Sequence, residues 1–254
     1  MRDLLGGACK TTMSQPFSNV YDDTERARAY GELLFPGTYY LAFRDIPALI
    51  SQHVAGTRAL DFGCGTGRST RFLRDLGMAV VGVDISAPML EEARRRDPAG
   101  DYRLVSVGDV SAVANGVFDL IFAAFTFDNI PTDAEKAKSL AALRDRLAPQ
   151  GRFIAIVSSP QIYLNEWASF STKDFPENWR ARDGDRVRTI MLDVPDRRPV
   201  DDVLCSDGHY RELFEAARLG VLDLASPLAT GAEPIRWVSE TTVAPWSIYV
   251  LGAA

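Results

Sequence analysis

Apolar positions follow helical spacing up to Gly56, then give way to short apolar runs alternating with amphipathic stretches. Residues 22–35 carry the first helical pattern, and "PG" at Pro36 and Gly37 ends it. Tyr39, Tyr40, Phe43, Ile46, Leu49 and Ile50 fall on one side of a second helix over 38–53, kinked at Pro47. "RALDF" then reads as a buried strand, followed by a helix over 68–76 and a second strand, "AVVGVD". "APMLEEARRR" is a helix with Ser86 as its N-cap and Pro88 in its first turn. "YRLVSVGD" and "VFDLIFAAF" follow as strands, then a helix over 133–147 and the strand "RFIAIVSS". Strands that are apolar throughout and alternate with helices predict an α/β fold, a doubly wound parallel sheet covered on both faces.

The rhythm breaks over 160–206, where Tyr163, Trp167, Phe170, Phe175 and Trp179 cluster and "RVRTIMLDV" with "RPVDDVL" suggests a hairpin. A helix over 208–219 follows, then two strand-like stretches, "GVLDLASPL" and "APWSIYVLGA". No long helix separates those two, so they should pair antiparallel at the sheet edge. The resulting organisation is a disordered extension over 1–20, a helical segment over 21–56 and a core over 57–254. Residues 160–206, too long and aromatic for a plain connector, are inserted into that core as a substrate cap.

Composition narrows the function classes. The net charge of -6 and the pI near 5.1 argue against a nucleic-acid partner, whose phosphates need a basic surface. No apolar run is long enough to span a membrane, and "MRDLLGGACKTT" lacks the apolar core of a secretory signal. Met13 offers a second start. Three widely spaced cysteines, Cys9, Cys64 and Cys205, suit a reducing cytoplasm, and two histidines exclude a multi-histidine metal site.

The chemistry concentrates in "RALDFGCGTG". Gly63, Gly65 and Gly67 follow a strand at alternate positions, where positive φ and the missing Cβ let backbone lie directly against a ligand. The G-x-G-x-G spacing lacks the lysine and serine or threonine of a P-loop. Asp61 precedes the first glycine, Asp84 ends the second strand, and Asp109 ends the third. Carboxylates so placed repel a pyrophosphate but suit ribose hydroxyls, an ammonium and a sulfonium.

"LDFGCGTG", "VVGVD", "VGDV" and "FDLIFAAF" resemble the successive motifs of class I S-adenosylmethionine-dependent methyltransferases of the small-molecule type, strongly over 57–158. The resemblance implies a Rossmann-like seven-stranded sheet, mostly parallel with an antiparallel last strand. It implies S-adenosyl-L-methionine as methyl donor and S-adenosyl-L-homocysteine as product. By the same resemblance Asp61 and the backbone of Gly63, Cys64, Gly65 and Gly67 hold the methionine end, and Asp84 holds the ribose. Ile85 and Met89 supply apolar contacts, Asp109 and Val110 meet the adenine, and Phe125 lines the site after the fourth strand. The helices before the first strand resemble a lid, in which Arg44 pairs with the donor carboxylate and Tyr21, Tyr30 or Tyr39 closes the pocket.

The substrate should lie beyond the strand ends, facing "FTFDNIP". Asp128 and Asn129 are its polar candidates, with Tyr163, Trp167 and Trp179 as walls of the cap. His209 is a candidate general base by its titration range, and Asp128 a second catalytic candidate. The function expected is methyl transfer to O or N of a small aromatic or heteroaromatic metabolite. No metal, nucleic acid or membrane is expected to take part, and a homodimer is left open. A non-catalytic binding module, a C-methyltransferase and a protein or RNA methyltransferase remain alternatives.

Overall fold

A computed structural model describes residues 23–115 and 117–254. Three short helices lead: α1 (Thr24–Gly31), α2 (Thr38–Arg44) and α3 (Ile46–His53). Asp23 caps α1 by accepting the N–H of Arg26 at 3.0 Å. The single helix expected over 38–53 is two helices, with Asp45 joining them. Pro47 sits in the first turn of α3, where its missing N–H leaves nothing unsatisfied, so it helps start a helix and kinks none.

The alternating part runs β1 (Arg58–Phe62), α4 (Arg68–Asp75), β2 (Ala79–Asp84), α5 (Ala87–Arg96), β3 (Asp101–Leu104), β4 (Phe118–Ala124), α6 (Asp133–Arg144) and β5 (Leu147–Ser158). Ser86 caps α5 and Thr132 caps α6, each through its hydroxyl. The inserted segment forms β6 (Phe170–Ser171), β7 (Arg186–Met191) and β8 (Val200–Val203), a separate antiparallel sheet in which the expected hairpin is β7 with β8. The chain closes with α7 (Asp207–Ala216), β9 (Leu219–Ala225) and β10 (Trp246–Ala253).

The main sheet has seven strands in the order β3-β2-β1-β4-β5-β10-β9. Its first five strands are parallel, and β10 lies between β5 and β9, antiparallel to both. Side chains alternate between two cores, as the pleat requires. Ala59, Leu120, Phe122, Ile154 and Ile248 pack against α2, α3, α4 and the inserted sheet. Leu60, Ile121, Phe153, Tyr249 and Leu251 pack against α6 and α7. Burying each large apolar side chain contributes about 1.5–3 kcal/mol. Among the described residues, no helix is long and apolar enough to cross a membrane.

Two features place the site. The strand order reverses between β1 and β4, leaving a crevice beyond their carboxyl ends. Buried polar links then tie the leading helices to the insertion and to β10. Thr38 donates to Glu240 at 2.6 Å and accepts the N–H of Ser169 at 3.0 Å, while the Trp246 indole donates to the Thr38 carbonyl at 2.8 Å.

Candidate functional site

At the crevice, the N–H groups of Gly63 and Cys64 both reach the Val83 carbonyl, at 2.8 and 3.0 Å, pinning the loop after β1 to β2. Gly63, Gly65 and Gly67 have φ of 71°, 53° and 76°, the left-handed region that glycine enters freely. A Cβ on Gly63 would lie 2.2 Å from the Thr126 hydroxyl, so the loop after β4 also requires this glycine. Asp84 accepts the N–H of Gly65 with one carboxylate oxygen and that of Ser86 with the other, each at 2.8 Å.

Around this loop lies a cavity of about 350 Å³. Gly63, Cys64, Gly65, Asp84, Ile85, Met89 and Phe125, all expected from sequence, line it. Residues 105–108 form its far end, while Tyr30, Phe43 and Arg68 form the near one. Phe125 has φ of 63°, a strained conformation for a non-glycine residue that costs on the order of 1–3 kcal/mol, and its N–H bonds the Ile156 carbonyl at 2.8 Å. Phe125, Tyr30 and Asn129 also line a second chamber of about 40 Å³ behind it, so the two spaces share a wall.

Several expected positions are corrected. Asp61 is fully buried beneath the loop rather than in the cavity wall, and one oxygen accepts the hydroxyls of Ser69 at 2.7 Å and Thr70 at 2.6 Å. Its carboxylate therefore seats the start of α4, and burial pushes its pKa up to about 6. Gly67 faces the Tyr102 ring and does not line the cavity. Asp109 is exposed and caps a turn, accepting the Ser111 N–H at 2.8 Å, because β3 already ends at Leu104. Val110 packs in the core.

Arg44 turns away from the cavity. It forks onto Asp45 with two contacts of 2.8 Å and bonds the Leu228 carbonyl at 2.9 Å. Arg68, which sequence reasoning passed over, is the cavity's cation. It is 8% exposed, donates to the Tyr30 hydroxyl at 3.1 Å, and leaves Nη1 buried without a partner among the described residues. The rings of Phe35, Tyr39, Tyr30 and Phe43 lie 4.8, 4.9, 5.3 and 5.9 Å from its guanidinium carbon. Its only sequence signal was its place directly after Gly67.

Tyr39 is buried beside Phe125 and Trp246 and lines the smaller chamber rather than the main cavity. Tyr21 lies outside the described residues. His209 sits on the first turn of α7, paired with Asp133 at 2.9 Å and Glu212 at 3.5 Å, and lines neither space, so it is no general base for this site. Trp179 is 69% exposed, and Trp167 is core, its indole donating to the Ile162 carbonyl at 2.8 Å. Neither lines the main cavity or the smaller chamber. Tyr163 reaches the smaller chamber only through Asp202, to which its hydroxyl donates at 3.2 Å. Asp128 lines that chamber, as do Trp246 and Asp202, both missed from sequence.

The residues present fit a nucleoside with an amino-acid tail. Asp84 beside the glycine loop suits vicinal hydroxyls, Ile85, Met89 and residues 105–108 offer an apolar slot, and the orphaned Arg68 Nη1 suits a carboxylate.

Comparison with known proteins agrees. A family model described as a methyltransferase domain matches residues 60–155. Ubiquinone biosynthesis O-methyltransferase of Nitrosococcus oceani is 32% identical over 190 residues, 71% of this chain and 78% of that protein. Malonyl-[acyl-carrier protein] O-methyltransferase of Enterobacter lignolyticus is 42% identical over 65 residues, so the match spans about a quarter of that relative's length. Among solved structures, the CcbJ methyltransferase of Streptomyces caelestis superposes with a TM-score of 0.64 at 19% identity, over 92% of this chain and 98% of that one.

Proposed function

The chain belongs to the class I S-adenosylmethionine-dependent methyltransferase family, and from that premise we propose that it methylates O or N of a small aromatic or heteroaromatic metabolite. The observation that carries this reading is the pair of adjoining spaces, which share Tyr30, Phe125 and Asn129 in their walls. The larger has Asp84, the glycine loop and Arg68, and the smaller lies behind Phe125 with Tyr39, Phe170 and Trp246 in its walls.

S-adenosylmethionine, when bound, supplies an electrophilic methyl group on a sulfonium. The chain's residues bind and align. Asp84 holds the ribose hydroxyls, Ile85 and Met89 flank the base, and Arg68 holds the carboxylate of the tail. Phe125 and Asn129 stand where the two spaces meet and orient the acceptor. Alignment of this kind can remove about 7–11 kcal/mol of barrier. Residues 21–56 serve as a lid and 160–206 as a cap, a reading supported by Tyr39 of α2 and by Phe170, Met191 and Asp202 of the insertion, all of which line the smaller chamber.

Calorimetric titration with S-adenosylhomocysteine tests the proposal, and the protein should bind it. Asp84→Ala should weaken binding by about 10- to 150-fold, the range for hydrogen bonds to a charged group. An unchanged affinity in that variant, or no binding by the wild type, would refute the reading.

A further inference from the structure

Methyl transfer as described leaves two carboxylates of the smaller chamber without a role. Asp128 lies on the turn after β4 and Asp202 on β8 of the insertion, and both are buried. Asp128 accepts the Ser158 N–H at 3.0 Å and the Tyr210 hydroxyl at 3.2 Å. Asp202 accepts from Asn129 Nδ2 at 3.2 Å and from the Tyr163 hydroxyl at 3.2 Å.

The surrounding groups fix the charge. Burial pushes the Tyr163 and Tyr210 phenols well above their ordinary range and the Cys205 thiol up to about 12, so none of these is anionic near neutrality. Lys136 is fully buried, makes no hydrogen bond through Nζ among the described residues, and favours ionisation of both carboxyls. Burial opposes it, raising Asp128 to about 6 and Asp202 well above the carboxylate range, and the Asp128 charge raises Asp202 further. The raised Asp202 carboxyl therefore keeps its proton in the empty chamber, leaving the Asp128 carboxylate to face the Lys136 side chain. The other walls include the aromatic side chains of Tyr39, Phe125, Phe170 and Trp246 beside Ile162, Thr189, Met191 and Val200. A buried space with aromatic residues in its walls and a second acid able to ionise suits one organic cation, whose entry displaces the Asp202 proton, and disfavours an anion.

We propose that Asp128 and Asp202 form the acceptor subsite for a small amine, and that Asp202 takes the proton its nitrogen must lose. This rests on the methyltransferase reading above. The ammonium form binds between the two side chains as Asp202 releases its own proton to solvent, and the ionised Asp202 then takes one proton from the ammonium. The freed nitrogen lone pair forms the new bond to the methyl carbon as the methyl–sulfur bond breaks, with that bond's electron pair left on sulfur. The products are an N-methylammonium and a neutral thioether, and the proton on Asp202 returns to solvent. Carboxylate acceptors are excluded by repulsion, and hydroxyl acceptors bind less well because they bring no charge.

The test holds the ring constant and changes the head group. With S-adenosylhomocysteine saturating, benzylamine, benzyl alcohol and benzoate are titrated calorimetrically in two buffers of different ionisation heat. Benzylamine should bind at least about tenfold more tightly than benzyl alcohol, with benzoate weakest. Its binding should release protons, seen as a heat that depends on the buffer. Asp202→Asn should reduce the amine preference to within about threefold while leaving S-adenosylhomocysteine affinity unchanged. Equal binding of the three, no binding of any, or a retained preference in the variant would overturn the inference while the methyltransferase reading stands. Failure of S-adenosylhomocysteine to bind would overturn both.

Discussion

Replacing Arg68 with methionine separates recognition of the nucleoside from recognition of its tail. Arg68 is 8% exposed with four aromatic rings around its guanidinium, and Nη1 has no partner among the described residues. A carboxylate reaching it there would make charge-assisted hydrogen bonds largely shielded from water, contributing about 1.5–3 kcal/mol. Arg68→Met should therefore weaken S-adenosylhomocysteine binding by about 10- to 150-fold. 5′-Methylthioadenosine carries the same nucleoside and thioether but no amino-acid tail, and its affinity should stay within about twofold. Methionine is long enough to keep most of the contacts with the rings, and exchanging a buried cation for an apolar side chain is often neutral or stabilising. The melting temperature should accordingly not fall. Calorimetry of both ligands against both proteins decides the matter. Equal losses for the two ligands would mean that Arg68 only shapes the pocket, and no loss for either would mean that the tail lies elsewhere.

His209→Ala should leave turnover unchanged and shift stability by no more than about 0.5 kcal/mol, because the imidazole pairs with surface acids on α6 and α7; a large loss of rate in a methylation assay would restore it to the site. Asp61→Asn should change the pH dependence of folding. Burial raises the native pKa of Asp61 to about 6, above its unfolded value, so the stability it contributes is full in acid and is lost as pH rises toward and through about 6. Relative to wild type, the asparagine variant should gain about 2.5 kcal/mol in urea unfolding between about pH 4 and about pH 7.5. A stability difference that does not change with pH would show that Asp61 is ionised in the folded protein at no cost.

Where the backbone alone sets the geometry, the sequence was readable. Apolar strands flanked by helices specify a covered parallel sheet, and glycines at alternate positions after β1 specify a loop at positive φ. Asp84 was legible for the same reason: a residue ending a strand beside that loop must face the crevice. Failures began where a side chain had a choice of partner. Arg44 and Arg68 both belong to helices near the crevice, but Asp45 captures the first while rings from α1, α2 and the turn between them gather on the second. The adjacent aspartate was a visible warning, whereas convergence of the rings exists only after α2 packs on α4. Asp109 failed because apolar periodicity does not mark where a strand stops pairing, and β3 stops at Leu104.

Asp202 shows the limit most sharply. "VDDV" offers two aspartates on one short strand, and a strand's period of two sends them to opposite faces. In the observed register Val187 pairs with Asp202 and Arg188 with Asp201; Asp201 lies toward solvent within 3.6 Å of Arg186, and Asp202 enters the chamber. A slip of one residue would exchange them, turning Val200 outward as well. The chamber's charge is therefore fixed by the register of a small hairpin, and that register is held by contacts outside it. Among them are the bonds from Tyr163 and Asn129 to Asp202 itself and the burial of Val187 and Val200 against the core. Under the amine proposal the insertion sets acceptor choice through this register, and moving the aspartate by one position should abolish the preference even though composition is unchanged.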